Sequence, residues 1–85
     1  MKCDCCGRRR RLFESFSTVN AGESQMRLCG NCTNLLYKLR DYAHDSSWEE
    51  YNLIKNELDH HATNKKCNPT FQSWYKQYYK KLKPE

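Results

Sequence analysis

The residues whose type and spacing carry chemistry are the six cysteines, Cys3, Cys5, Cys6, Cys29, Cys32 and Cys67. Cys3-Asp4-Cys5-Cys6-Gly7 contains a Cys-x2-Cys followed by glycine, and Cys29-Gly30-Asn31-Cys32 is a second Cys-x2-Cys. A pair so spaced sits on a tight turn that points both sulfurs to one side. Glycine after the second cysteine lets backbone N–H groups approach those sulfurs. The pairs are separated by the 22 residues from Gly7 to Leu28. Together Cys3, Cys6, Cys29 and Cys32 can supply four thiolates to one tetrahedral Zn²⁺. An even cysteine count would also suit a disulfide framework, which needs an oxidising compartment and a secretory leader. Met1-Lys2-Cys3 opens without a charged-then-apolar leader. Zinc in a cytoplasmic protein is therefore the expectation.

The other sulfurs have blander readings. Cys5 falls between two ligands and should point away as a spare thiol. Cys67 lies 35 residues beyond Cys32, flanked by Lys65, Lys66 and Asn68. A second site from His60, His61 and Cys67 lacks a fourth ligand, so a helix-end cysteine beside solvated histidines is expected.

The elements that must position the ligands can be read from periodicity. Residues 10–18 are rich in aromatic and β-branched types without helical spacing, Val19 to Glu23 is a turn cluster, and Ser24 to Leu28 leads into the second pair. That pattern predicts a β-hairpin between two knuckles. From Cys32 the spacing changes to Leu35, Leu36, Leu39, Tyr42 and Ala43, one face of a helix. Ser47-Trp48-Glu49-Glu50 reads as a capping box, followed by a stripe of Trp48, Tyr51, Ile54, Leu58 and Ala62. Asn68-Pro69 opens a third helix with the stripe Phe71, Trp74, Tyr75, Tyr78 and Leu82, and Pro84 should stop it. The expected fold is α+β and mainly helical. A treble-clef zinc-binding module (knuckle, β-hairpin, knuckle-helix) occupies residues 1–45, and a helical hairpin over 46–85 packs on it.

Composition narrows the field further. With 38 % hydrophobic residues and a mean hydropathy of −1.08 the core must be small, and a domain of this size usually needs a staple. No apolar run approaches the roughly 20 residues of a membrane span. Aromatics at 13 % are too many for a disordered tail.

Net charge is +3 over residues 1–34, −3 over 35–62 and +5 over 63–85. A four-thiolate Zn²⁺ site carries −2, so Arg8, Arg9, Arg10 and Arg11, directly after the first knuckle, have an intramolecular role available in neutralising the sulfurs. A phosphate- or carboxylate-binding patch is the alternative use of that run. In the third helix Lys76, Lys80, Lys81 and Lys83 interleave with Trp74, Tyr75, Tyr78 and Tyr79. The aromatics should pack and the lysines form a solvated face. Tyr79 falls off the main stripe, so we expect an exposed contact residue there.

The first half resembles treble-clef zinc fingers, and within them the N-terminal finger of the bacterial protein-arginine kinase activator family. The matching stretches are Cys3 to Cys6, Thr18-Val19-Asn20-Ala21-Gly22 and Leu28-Cys29-Gly30-Asn31-Cys32, about 40 residues in all. The likeness implies a zinc module that recruits or regulates another protein, although the second finger and the C-terminal interaction helices of that family have no counterpart here. A weaker similarity to GATA-type fingers runs through Arg27 to Cys32 and Leu36-Tyr37-Lys38. His-metal finger nucleases need a histidine base in the hairpin, and residues 7–28 contain none.

Two functions follow as expectations. The first is a non-enzymatic adaptor or regulator that docks on a larger protein machine, including one that already holds nucleic acid. The second is a direct nucleic-acid binder using Arg8 to Arg11 and the Lys76, Tyr79, Lys80 and Lys83 face. Neither expects a membrane, and the oligomeric state is left open.

Overall fold

The computed structural model describes residues 2–82. Its elements are β1 (Ser17–Ala21), β2 (Ser24–Leu28), α1 (Gly30–His44), α2 (Trp48–Ala62) and α3 (Pro69–Leu82). The chain is thus mainly helical, with one antiparallel hairpin ahead of three helices. Lys83 and the expected stop at Pro84 lie outside the described residues. Among the described residues no helix is long and apolar enough to cross a membrane.

The hairpin pairs Ser17 with Leu28 and Ala21 with Ser24, so only Gly22 and Glu23 form the turn. Gly22 has φ +65. A two-residue turn led by glycine matches the right-handed twist of the flanking strands. The first strand therefore starts later than the composition of 10–18 suggested, and Val19 and Asn20 belong to the ladder. The physical reason lies in Arg11–Glu14. Glu14 N–H donates to Arg11 O at 3.1 Å, which closes a turn, and Phe13 sits at φ +66. A left-handed residue cannot continue a pleated ladder. In β2, Met26 and Leu28 are buried while Gln25 and Arg27 face outward, the period of two that a one-sided strand requires.

α1 buries Leu35, Leu36, Leu39 and Ala43 on the predicted stripe and adds Thr33. Its C-terminus is closed by Ser47 N–H to Tyr42 O at 2.8 Å and Ser46 N–H to Ala43 O at 3.2 Å, with Ser46 at φ +58. This is a Schellman closure with serine where glycine is usual. Ser47 is consequently shared between two helices. Its backbone (φ −84, ψ 69) is not the extended conformation of a capping residue, so the expected capping box does not form and Ser47 makes no side-chain cap bond. Asn68 does cap α3, accepting from Thr70 N–H at 2.8 Å ahead of Pro69 in the first turn.

The three residues between α1 and α2 fold α2 back onto α1, and that is the most extensive helix pair. The expected α2–α3 hairpin is therefore not the principal one. α3 lies across both helices and both strands, because the loop before it is tied to the first knuckle. Asn68 N–H donates to Asp4 O at 3.0 Å, and the Asn68 amide donates to Asp4 Oδ1 at 3.2 Å. A single core runs through both halves of the chain, from Cys3, Met26, Leu28 and Leu39 to Tyr51, Leu58, Phe71 and Tyr75. Phe71 stacks on Tyr75 at 5.7 Å, and the Tyr75 hydroxyl donates to Asp59 Oδ1 at 2.7 Å.

Candidate metal centre

The two Cys-x2-Cys pairs meet. The Sγ atoms of Cys3, Cys6, Cys29 and Cys32 all lie within 4.8 Å of one another, and Cys6 Sγ is 3.9 Å from Cys29 Sγ. Four sulfurs each ~2.3 Å from a tetrahedral centre would lie ~3.8 Å apart, so the cluster has the size of a metal site. Cys3, Cys29 and Cys32 are buried and Cys6 is half-buried.

The first pair is set by its backbone. Gly7 N–H donates to Cys3 O at 2.9 Å with Gly7 at φ +76, and Cys3 N–H donates to Arg8 O at 2.8 Å. The second pair is set by α1. Cys29 is the extended N-cap residue and Cys32 stands in the first turn, so the positive end of the helix faces the sulfurs. Cys29 N–H donates to Cys3 Sγ at 3.3 Å. A hydrogen bond from Cys32, reinforced by backbone N–H groups against the cost of burial, holds the Cys3 thiol well below the usual range. The same contact pushes Cys32 up, and burial raises Cys6 to about 11. Metal binding must displace the thiol protons.

Asp4 clamps the pairs together, a role not evident in the sequence. Its N–H donates to Arg27 O at 2.8 Å and its Oδ2 accepts from Arg27 N–H at 2.9 Å. With the two bonds from Asn68, this one residue links the first Cys-x2-Cys turn, β2 and the start of α3 through its backbone and its carboxylate. The available signal was its place inside a knuckle, where Asp commonly ties down backbone.

Cys5 is outside the four-sulfur group, as expected, yet it is wholly buried rather than a spare exposed thiol. Cys67 is also buried rather than standing beside solvated histidines. It rests on Asp4 O at 3.5 Å, and burial followed by the neighbouring cysteines pushes it up to about 12. His60 and His61 instead line a cleft of about 490 Å³ beside Cys6, Arg8 and Cys29. Among the described residues they form no metal-sized cluster with Cys67.

The arginine run divides. Arg8 grips Glu14 through two bonds of 3.0 and 2.6 Å and also reaches Cys29. That pairing raises the Arg8 guanidinium further and holds Glu14 at about 2. Arg8 is thus committed within the chain, principally to the Glu14 carboxylate rather than to the sulfurs, whereas Arg9, Arg10 and Arg11 are exposed, as are Lys76 and Lys80. Tyr79 is not the exposed residue expected. It is half-buried, edge-on to Tyr75 at 4.9 Å, with Lys55 Nζ 4.5 Å from its ring centroid. Residues 71, 75 and 79 repeat every four positions and share the buried side of α3, which is broader than the stripe first read. Sequence reasoning also missed Leu12 and Phe13, which are 84 % and 95 % exposed. No family model, no curated protein and no solved structure matches the chain.

Proposed function

We propose that this chain is a treble-clef zinc module acting as a small, non-enzymatic cytoplasmic adaptor that binds a larger protein machine and modulates it. The observation that carries the reading is the gathering of four cysteine sulfurs within 4.8 Å. Four thiolates fill a tetrahedral zinc completely, as structural sites do, and leave no position for water or substrate. The order of knuckle, hairpin and knuckle-helix is also that of the arginine-kinase-activator finger it resembles, a module that works through another protein.

Direct nucleic-acid binding is the second reading, favoured by the exposure of Arg9, Arg10, Arg11, Lys76 and Lys80. Its weakness is the aromatic part. Lys55 covers the Tyr79 ring, which removes a platform for a stacked base.

Two measurements test the first reading. Elemental analysis should find one zinc per chain, and a bridged cystine pair in its place would overturn the assignment. Co-purification from cells should retain a protein partner after nuclease treatment. If retention instead requires nucleic acid, and duplex binding falls with salt at about −0.9 per neutralised phosphate in log–log terms, the second reading takes its place.

A further inference from the structure

We propose that the Arg11–Glu14 turn is the docking element of this chain. On this assignment Leu12 and Phe13 insert into an apolar pocket of a partner protein whose rim carries carboxylates that pair with Arg9, Arg10 and Arg11. The proposal rests on the adaptor reading and names the chemistry of the partner.

Two observations converge. Leu12 and Phe13 stand 84 % and 95 % exposed side by side, although large apolar side chains in water are unfavourable. Phe13 holds φ +66 at the third position of a closed turn, a place that glycine or asparagine ordinarily fills. A bulky residue at positive φ is an outlier, and such strain persists only where the surroundings enforce it.

Here the surroundings do enforce it. Glu14 accepts from the Arg8 guanidinium twice and from Arg11 N–H at 3.0 Å, and Glu14 O accepts from Arg10 at 3.3 Å. Lys2 bridges to Arg9 on the other side. The turn is fixed before any partner arrives, which lowers the ordering cost of binding.

Charge then selects the partner. The carboxylate of Glu14 is committed to Arg8, so the turn offers three exposed guanidinium groups around an apolar tip. Guanidinium matches carboxylate in a two-bond geometry, and Phe and Arg are typical anchors of protein interfaces. A lipid surface suits the tip less well. Two side chains bury fewer methylenes than one fatty acyl chain, which itself binds membranes only marginally.

The test uses the full, zinc-loaded chain in its native cells, with benzoylphenylalanine in place of Phe13 or, separately, of Lys76. The expected result is a crosslink from position 13 to a protein, mapping to an apolar recess bordered by Asp or Glu. Phe13→Gly should then weaken binding to that protein by on the order of tenfold, as loss of an interface anchor does. Its melting temperature should not fall, because glycine relieves the positive φ. Crosslinks from position 76 alone would overturn the docking turn and leave the adaptor reading standing. Lipid or nucleic-acid adducts at position 13, or a mapped site without carboxylates, would also overturn it. If neither position captures protein, both readings fall together.

Discussion

Gly7→Ala gives the most direct check on how the first Cys-x2-Cys turn is built. Gly7 sits at φ +76, and a Cβ there would press on Lys66 Cβ and lie 2.8 Å from Lys66 O. The left-handed conformation alone costs a residue with a Cβ about 1–2 kcal/mol. Pushing the Lys66 backbone outward adds an overpacking cost of about 1–3 kcal/mol, because a carbonyl cannot swing aside like a flexible side-chain tip. The sum is roughly 2–5 kcal/mol, and a domain of this size loses about 4–8 °C of melting temperature per kcal/mol. Two internal references separate the terms. Gly22 has φ +65 with nothing within 4 Å, so Gly22→Ala should cost only the conformational part, about 1–2 kcal/mol. Gly30 opens α1 with nothing within 4 Å, so Gly30→Ala should be neutral or stabilising by up to about 1 kcal/mol. Thermal unfolding followed by circular dichroism at one fixed free-zinc concentration compares the three, since bound metal shifts the apparent stability. A Gly7→Ala loss no larger than that of Gly22→Ala would refute the packing of the 64–67 loop against the first knuckle.

Other expectations concern the sulfurs and the aromatic face. If the four-cysteine cluster holds zinc as proposed, Cys29→Ser should abolish folding, because structural zinc contributes about 10–16 kcal/mol in finger peptides, whereas Cys5→Ser should still bind one metal ion per chain by elemental analysis. A metal-free Cys29→Ser protein that stays helical would sink the first half of that statement. Tyr75→Phe removes a hydroxyl that donates to Asp59 at 2.7 Å, and urea unfolding should show a loss of about 1–3 kcal/mol. Burial, aided by the bond to Asp59, raises the Tyr75 pKa above its ordinary value of 10. Its contribution to stability is therefore complete below pH 10 and lost as pH rises through the folded value. Ultraviolet titration should find Tyr75 among the tyrosines that burial keeps protonated into the alkaline range, with Tyr51 and Tyr78, and Tyr75→Phe should lower their number by one. Tyr79→Ala should cost about 1–2 kcal/mol by the same urea assay, given the edge contact to Tyr75. A change inside about 0.5 kcal/mol would return Tyr79 to the surface.

The helices were legible because each has a one-sided apolar stripe. Leu35, Leu36 and Leu39, then Tyr51 and Leu58, then Phe71 and Tyr75 all turned inward. The hairpin was legible as to its existence but misplaced, since β-rich composition at 10–18 says nothing about whether Phe13 adopts a pleated conformation. The capping box failed for a related reason. Ser47 has two neighbours competing for its backbone, and the end of α1 prevailed.

Each Cys-x2-Cys pair was legible from spacing, because two sulfurs three residues apart on a tight turn converge. The meeting of the two pairs within 4.8 Å needed the hairpin and the Asp4 bonds to Arg27. The partition of the remaining groups was not legible from spacing either. Cys67, Arg8, Asp4 and Tyr79 meet partners 4 to 64 positions away in sequence, and Cys5 is buried among segments equally distant. Burial and pairing for such groups depend on which segments the folded chain brings together. The Asp4–Asn68 bonds, spanning 64 positions, bring the α3 end of the core against the knuckle. Local pattern determined what each segment becomes, while close packing across the single core decided which polar groups are spent inside and which remain for a partner.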